Sequence, residues 1–264
     1  MRVFAYAFLA CCAFGAVAVP VFAQGAMQPI TPQEEAALNQ VLRGWEKSMT
    51  DVRSFVTKVD RESLDKALQA KDQYKGFAIF LKANVKDDQS RARLELAKVG
   101  KPEVFEKYIC TGTFLYEYAA AQKVVRVHNM PQDKKGGQQE SFLSFLFGMG
   151  AEQAKARYDM RPVFPKVPDP HYHYLRVKPR MDADKNDFAE ARLSLYKANH
   201  LPAQIWYLQP NGNETTWTFS ELQVDKDIPL AWFQPDTPKD WRVERVQPKL
   251  APGVQPTVRG GGTK

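Results

Sequence analysis

Tyr108-Ile109-Cys110-Thr111-Gly112-Thr113-Phe114-Leu115-Tyr116-Glu117-Tyr118-Ala119-Ala120-Ala121-Gln122-Lys123-Val124-Val125-Arg126-Val127 holds three runs rich in aromatic and β-branched residues, parted by turn-forming breaks at 111–112 and 120–122. Such spacing predicts an antiparallel meander of strands at 103–110, 113–119 and 123–129. Period-two runs on the N-terminal side predict further strands at 52–62, 74–85 and 91–97. On the C-terminal side a second meander is expected at 172–178, 187–197, 201–208 and 215–224, with Asn211-Gly212 as a hairpin turn and 241–246 as a last strand.

Helix signals are few. Thr31-Pro32-Gln33-Glu34 places a capping hydroxyl before a first-turn proline and an acidic residue, and Leu38, Leu42, Trp45 and Met49 recur on one face, predicting a helix over 33–50. Phe142 to Met149 is apolar nearly all round, and 152–158 reads as a second short helix. A helical turn is expected at 228–233. Pro162, Pro165, Pro168 and Pro170 are expected to exclude regular structure up to His171.

The strands alternate. Leu193 and Leu195 oppose Arg192 and Ser194; Phe114, Tyr116 and Tyr118 oppose Leu115 and Glu117; Phe77, Ile79 and Leu81 oppose Ala78 and Phe80. One dry face is therefore expected on a sheet of about ten strands. Three helices are too little to tile it, so the sheet is expected to curl around them and leave an apolar hollow. The fold class is α+β: a strongly curved antiparallel half-barrel with a helical lid.

Residues 1–23 read as a secretory signal peptide: Arg2, an apolar run over 3–19, then Val21-Phe22-Ala23 with small residues at the −3 and −1 positions. The alternatives are a retained apolar anchor, or lipidation at Cys11 or Cys12. A short linker is expected at 24–32, one domain at 33–246, and a disordered Pro/Gly-rich tail at 247–264. Beyond the leader Cys110 stands alone, which excludes an internal disulfide; it reads as a small buried hydrophobe at a strand end.

At 264 residues and 44% apolar, with sixteen Phe, ten Tyr and five Trp, the chain is well able to form a core. The formal charge of +7 is mild and no basic run exceeds two or three residues, so no nucleic-acid partner is expected. No phosphate-loop, dinucleotide, nucleophile-elbow or H-E-x-x-H motif occurs. Asp169-Pro170-His171-Tyr172-His173 could serve a metal-assisted hydrolase, although neither His128 nor His200 is expected near it; the plainer reading is surface histidines, with no metal and no cofactor. Asn213-Glu214-Thr215 matches a glycosylation acceptor by pattern alone.

The order of elements over 33–246 resembles the LolA/LolB-like periplasmic lipoprotein carriers and, more loosely, secreted planctomycete domains. The matching stretches are Ser90-Arg91-Ala92-Arg93-Leu94-Glu95, Lys101-Pro102 with the strand and turn through Tyr118, Val124-Val125-Arg126-Val127, the apolar 142–149 segment at the lid position, and the closing hairpin from Leu201-Pro202 to Gln234-Pro235. Thr111 stands at that family's turn aspartate, and Phe114 or Leu115 at its indole position.

The resemblance implies a non-catalytic carrier of acyl chains or a lipid-modified protein, monomeric and exported to the periplasm or cell envelope, meeting a membrane-associated donor and acceptor. The ligand-facing set would be Leu38, Leu42, Trp45, Ile79, Leu81, Arg93, Phe114, Tyr116, Phe142, Phe145, Leu146, Met149, Leu193 and Leu195. Arg93 would hold the lid through its carbonyls or meet an acyl ester, with Arg91 its rival; otherwise Arg93 is a strand arginine paired to a carboxylate. A filled-interior interaction or sensor module is the alternative from another class.

Overall fold

The computed structural model describes residues 29–84, 89–130 and 150–246. The expected signal peptide, the segment carrying Phe142, Phe145, Leu146 and Met149, and the expected C-terminal tail lie outside the described residues.

Helix α1 (Pro32–Asp51) starts where the sequence predicts. Glu34 N–H donates to the Thr31 hydroxyl at 3.2 Å and the Glu34 carboxylate accepts from Thr31 N–H at 2.8 Å, a reciprocal capping box that satisfies two backbone donors otherwise left open. Leu38, Val41, Leu42 and Trp45, at the i, i+3, i+4, i+7 spacing, are its buried stripe.

Twelve strands follow among the described residues: β1 (Ser54–Asp65), β2 (Ala70–Leu81), β3 (Arg91–Lys98), β4 (Lys101–Cys110), β5 (Phe114–Ala119), β6 (Val124–Asn129), β7 (Tyr158–Val163), β8 (Tyr172–Pro179), β9 (Glu190–Tyr196), β10 (Pro202–Leu208), β11 (Glu214–Val224) and β12 (Arg242–Val246). They form one curved, unclosed sheet in the order β12-β6-β5-β4-β3-β2-β1-β11-β10-β9-β8-β7, antiparallel throughout except for the β12–β6 pair. Short helices α2 (Ala151–Arg157) and α3 (Asp182–Lys185) complete the α+β fold.

Three local expectations are corrected. Residues 158–163 form strand β7 despite Pro162, because β7 is the sheet edge: among the described residues it pairs only with β8, and an edge strand tolerates the missing N–H. The Asn211-Gly212 turn is not a two-residue hairpin. Gly212 N–H donates to Gln209 O across Pro210-Asn211, and Gly212 then takes φ +86°, a conformation glycine adopts without penalty. Asp182–Lys185, unassigned in sequence, forms α3, where Asp184 is buried against Arg157.

The expectation of a single dry face is also corrected. Leu38, Leu42 and Trp45 of α1, with Ala151 and Ala154 of α2, pack on Leu175, Val177, Leu193, Leu195 and Ile205, covering one face of strands β7–β10. Following the cross-strand pairs Leu193↔Ile205↔Trp217↔Arg61↔Tyr74 carries that face into β2, where its residues are Tyr74, Gly76, Ala78 and Phe80. Phe77, Ile79 and Leu81 therefore lie on the other side, in a second core with Ile109, Tyr118, Val125 and Phe233. Strands β1–β6 also bury Val59, Leu96 and Val124 on the α1 face. This half buries apolar side chains on both sides, and alternation between two apolar sets cannot tell which set faces the helix.

The second core is covered by the chain's own C-terminal segment, whose Ile228, Phe233 and Trp241 pack on it. Tyr118 O–H donates to Asp236 O at 2.7 Å, Lys107 Nζ reaches Asp236 Oδ1 at 2.7 Å, and Trp241 stacks on Phe105 with ring centroids 6.2 Å apart. Burial pushes the Tyr118 phenol up to about 12, with the Asp236 charge acting in the same direction.

Candidate ligand groove

At the C-terminal end of α1 the helix does not meet the sheet. Met49 and Val52 form one wall of an apolar groove. Phe55 and Thr57 of β1, Ala78 of β2, Leu201 and Pro202 at the start of β10, and Phe219 and Leu222 of β11 form the rest, around a cavity of about 60 Å³. The Thr57 hydroxyl donates to Ser220 O at 2.8 Å, so the one side-chain hydroxyl in the lining is satisfied by backbone. Phe55 stacks on Phe80 with centroids 5.4 Å apart, extending apolar surface from β1 onto β2.

Leu222 owes its place to a β-bulge. Phe219 pairs with Val59 and Ser220 with Lys58, but the next pair is Gln223 with Val56, leaving an extra residue in β11; Glu221 takes φ 51° there. Without that residue, 219 and 222 would point to opposite faces. The bulge brings both to the groove. Two bonds hold the mouth in place: Lys82 Nζ donates to Thr50 O at 2.7 Å, and Lys82 N–H to Arg53 O at 2.8 Å.

The residues expected from sequence fall into three groups. Leu38, Leu42, Trp45, Leu193 and Leu195 meet, as a closed core no more than 5% exposed. Ile79, Leu81, Arg93, Phe114 and Tyr116 share the opposite face of the sheet, so they cannot line one hollow with the first group. Phe142, Phe145, Leu146 and Met149 are the third group, outside the described residues.

Arg93 donates from Nε and Nη2 to Glu95 Oε1 at 2.9 and 2.6 Å, and from Nη1 to Trp232 O at 2.6 Å. It thus combines a same-strand carboxylate partner with a hold on a helical-turn carbonyl, and that turn (Leu230–Phe233) belongs to the C-terminal segment. Arg91 donates to Gln89 O at 3.3 Å. Met49 was legible on the helix face, but no sequence signal marks Leu222, Phe219 or Ala78 as groove residues.

Asp169 caps its own loop, accepting from His171 N–H at 2.7 Å and Tyr172 N–H at 3.1 Å. Contrary to expectation, His200 does approach His173, the rings stacking with centroids 5.3 Å apart. Gly44 of α1 makes room for them: a Cβ there would lie 2.5 Å from the His200 ring. Burial, then the neighbouring His200 and Lys197, push the His173 pKa down. No group of three or more metal-ligating side chains occurs among the described residues. No helix among them is long and apolar enough to cross a membrane.

No family model matches the sequence, and no curated protein matches it. Solved structures similar to this chain include MucB of the Pseudomonas aeruginosa MucA/MucB complex, at 13% identity and TM-score 0.44 over 76% of this chain; the match spans 61% of the MucB chain. An uncharacterized conserved protein of Thermus thermophilus is similar at 13% identity and TM-score 0.46, covering 80% of this chain and 99% of that one. A LolA superfamily protein of Nitrosomonas europaea follows at 10% identity and TM-score 0.35, covering 75% and 97%. At these identities and scores the likenesses reach the outline of the fold and no further.

Proposed function

We propose that this chain is a non-catalytic binding protein for an alkyl chain, from a lipid or a lipid-modified protein, and that it takes the end of that chain into the groove between α1 and strands β1, β2 and β11. One observation carries the reading: the groove is apolar on every element that lines it, and a bulge in β11 turns Leu222 into it. An alkyl chain needs no partner beyond a dry surface, since each buried methylene stabilises by about 0.8 kcal/mol. Acid–base or metal chemistry is not what such a lining suits. The cavity has room for about two water-sized groups at ~30 Å³ each, so the guest's tip is enclosed and the remainder follows the open groove. The apolar leader read in residues 1–23 supports export, and a monomer meeting membrane-associated donors and acceptors fits the reading.

Organic extraction of the purified chain followed by mass spectrometry tests it, together with titration by N-phenyl-1-naphthylamine and displacement by palmitate. Bound aliphatic chains, and a probe signal lost in Leu222→Asp with an unchanged circular dichroism spectrum, are the expected results. An extract without lipid, and a probe signal that Leu222→Asp leaves intact, would refute the groove as the site.

A further inference from the structure

Across strands β7–β10, on the side of the sheet away from α1, Arg161, Arg176 and Arg192 stand directly opposite one another, and Arg192 is opposite Trp206. Like charges placed opposite in a sheet destabilise it, and a solvated face has no need of them. Lys178 adjoins the row. Two carboxylates contact the four cations directly: Glu190 accepts from Arg176 Nη2 at 2.8 Å and from Arg192 Nε at 3.2 Å with Lys178 Nζ at 3.9 Å, while Asp159 lies 3.7 Å from Arg161 Nε, beyond hydrogen-bond reach. Glu214, on the same face, also acts on Arg192 but accepts from Trp206 Nε1 at 3.1 Å and pairs with Lys66 at 2.8 Å. The buried Nε atoms of Arg161 and Arg176 have no hydrogen-bond partner among the described residues.

Aromatic rings flank the row on the same face. The Arg192 guanidinium sits 4.6 Å from the Trp206 ring centroid, and Tyr172 packs against both Tyr174 and Tyr196. At the tyrosine end the chain leaves β7 through a loop whose Phe164 and Val167 are 64% and 80% exposed, and the loop is tied back by Tyr174 O–H donating to Asp169. Cations at strand spacing, amphipathic rings and exposed apolar side chains are the three features that hold a protein at a lipid–water interface: phosphates meet the cations, rings sit at headgroup depth, and apolar tips enter the acyl boundary.

We propose that this arginine row, with Trp206, the three tyrosines and the Phe164–Val167 loop, docks the protein on the phosphate-bearing surface of an anionic phospholipid membrane. A single phosphate would not use it all, since the three arginines span two inter-strand spacings of about 4.8 Å each. The docking face lies on the opposite side of the sheet from the groove and rests on separate observations, so an empty groove would leave it standing.

The test is co-sedimentation of the full chain with vesicles of equimolar phosphatidylglycerol and phosphatidylcholine, against vesicles of phosphatidylcholine alone. The apolar leader would partition into both, so the difference between the two is the readout. Wild-type protein should prefer the anionic vesicles and lose the preference in high salt. Arg192→Gln, at a side chain 66% exposed, should weaken the anionic arm about fivefold, and Arg161→Gln with Arg192→Gln about 30-fold. Arg161→Lys with Arg192→Lys should restore binding. Equal sedimentation with both vesicle types, an undiminished anionic preference in Arg192→Gln, or saturable uptake of inorganic phosphate without vesicle binding would each overturn the proposal.

Discussion

Replacing Ala78 by Leu is the sharpest probe of the groove, because ligand affinity and stability can be read from it separately. Ala78 is half-buried in the lining, paired across β1 with Thr57 and across β3 with Leu94. The cavity beside it measures about 60 Å³, room for about two methylene-sized groups. Three added carbons would occupy that space. A guest would then lose about two buried methylenes, about 1.6 kcal/mol, which is a ~15-fold weaker Kd. Filling an apolar void without strain leaves stability unchanged or raised, whereas overpacking would lower it by about 1–3 kcal/mol. Displacement of N-phenyl-1-naphthylamine by palmitate reads the first quantity and urea unfolding the second. A variant as stable as wild type that binds palmitate equally well would refute the reasoning, since a filled groove could not then be where the alkyl chain sits.

Two further outcomes follow from the structure. Arg157 donates to both carboxylate oxygens of Asp184, their side chains 10% and 5% exposed, so Asp184→Ala should cost about 3–5 kcal/mol in urea unfolding, a loss that replacement of both partners by apolar residues should lessen. A loss under 1 kcal/mol would show the pair to be dispensable. Tyr118 holds its proton to about pH 12 when folded and to about 10 when unfolded. The folded state therefore binds more protons in that window; its contribution is full below pH 10 and is lost as pH rises toward 12. Alkaline melts should show this loss in wild type and not in Tyr118→Phe, and a parallel pH dependence in both would exclude the phenol as its source.

Much of the fold was legible because its signals are local. The Thr31–Glu34 box fixes the start of α1, and the 3.6-residue recurrence of Leu38, Leu42 and Trp45 fixes its buried face. Strands β3, β5, β6, β8 and β10 lie within a residue or so of their period-two runs. The curved α+β sheet was legible from strand number against helix length.

What sequence could not supply was long-range. Which parity of β2 meets α1 depends on a chain of cross-strand registers from Leu193 to Tyr74, and both parities are apolar, so hydrophobicity carries no distinguishing information. Leu222 reaches the groove through one extra residue in β11 that no local pattern announces. Pro162 reads as a breaker until β7 is known to be an edge. Arg161, Arg176 and Arg192 lie 15 or 16 residues apart and become a row only when two antiparallel registers align them. Sequence determined the elements and their amphipathic character, since these follow from each residue's own neighbours. Only the tertiary structure decided which faces meet, because pairing register is set by contacts between residues far apart in the chain.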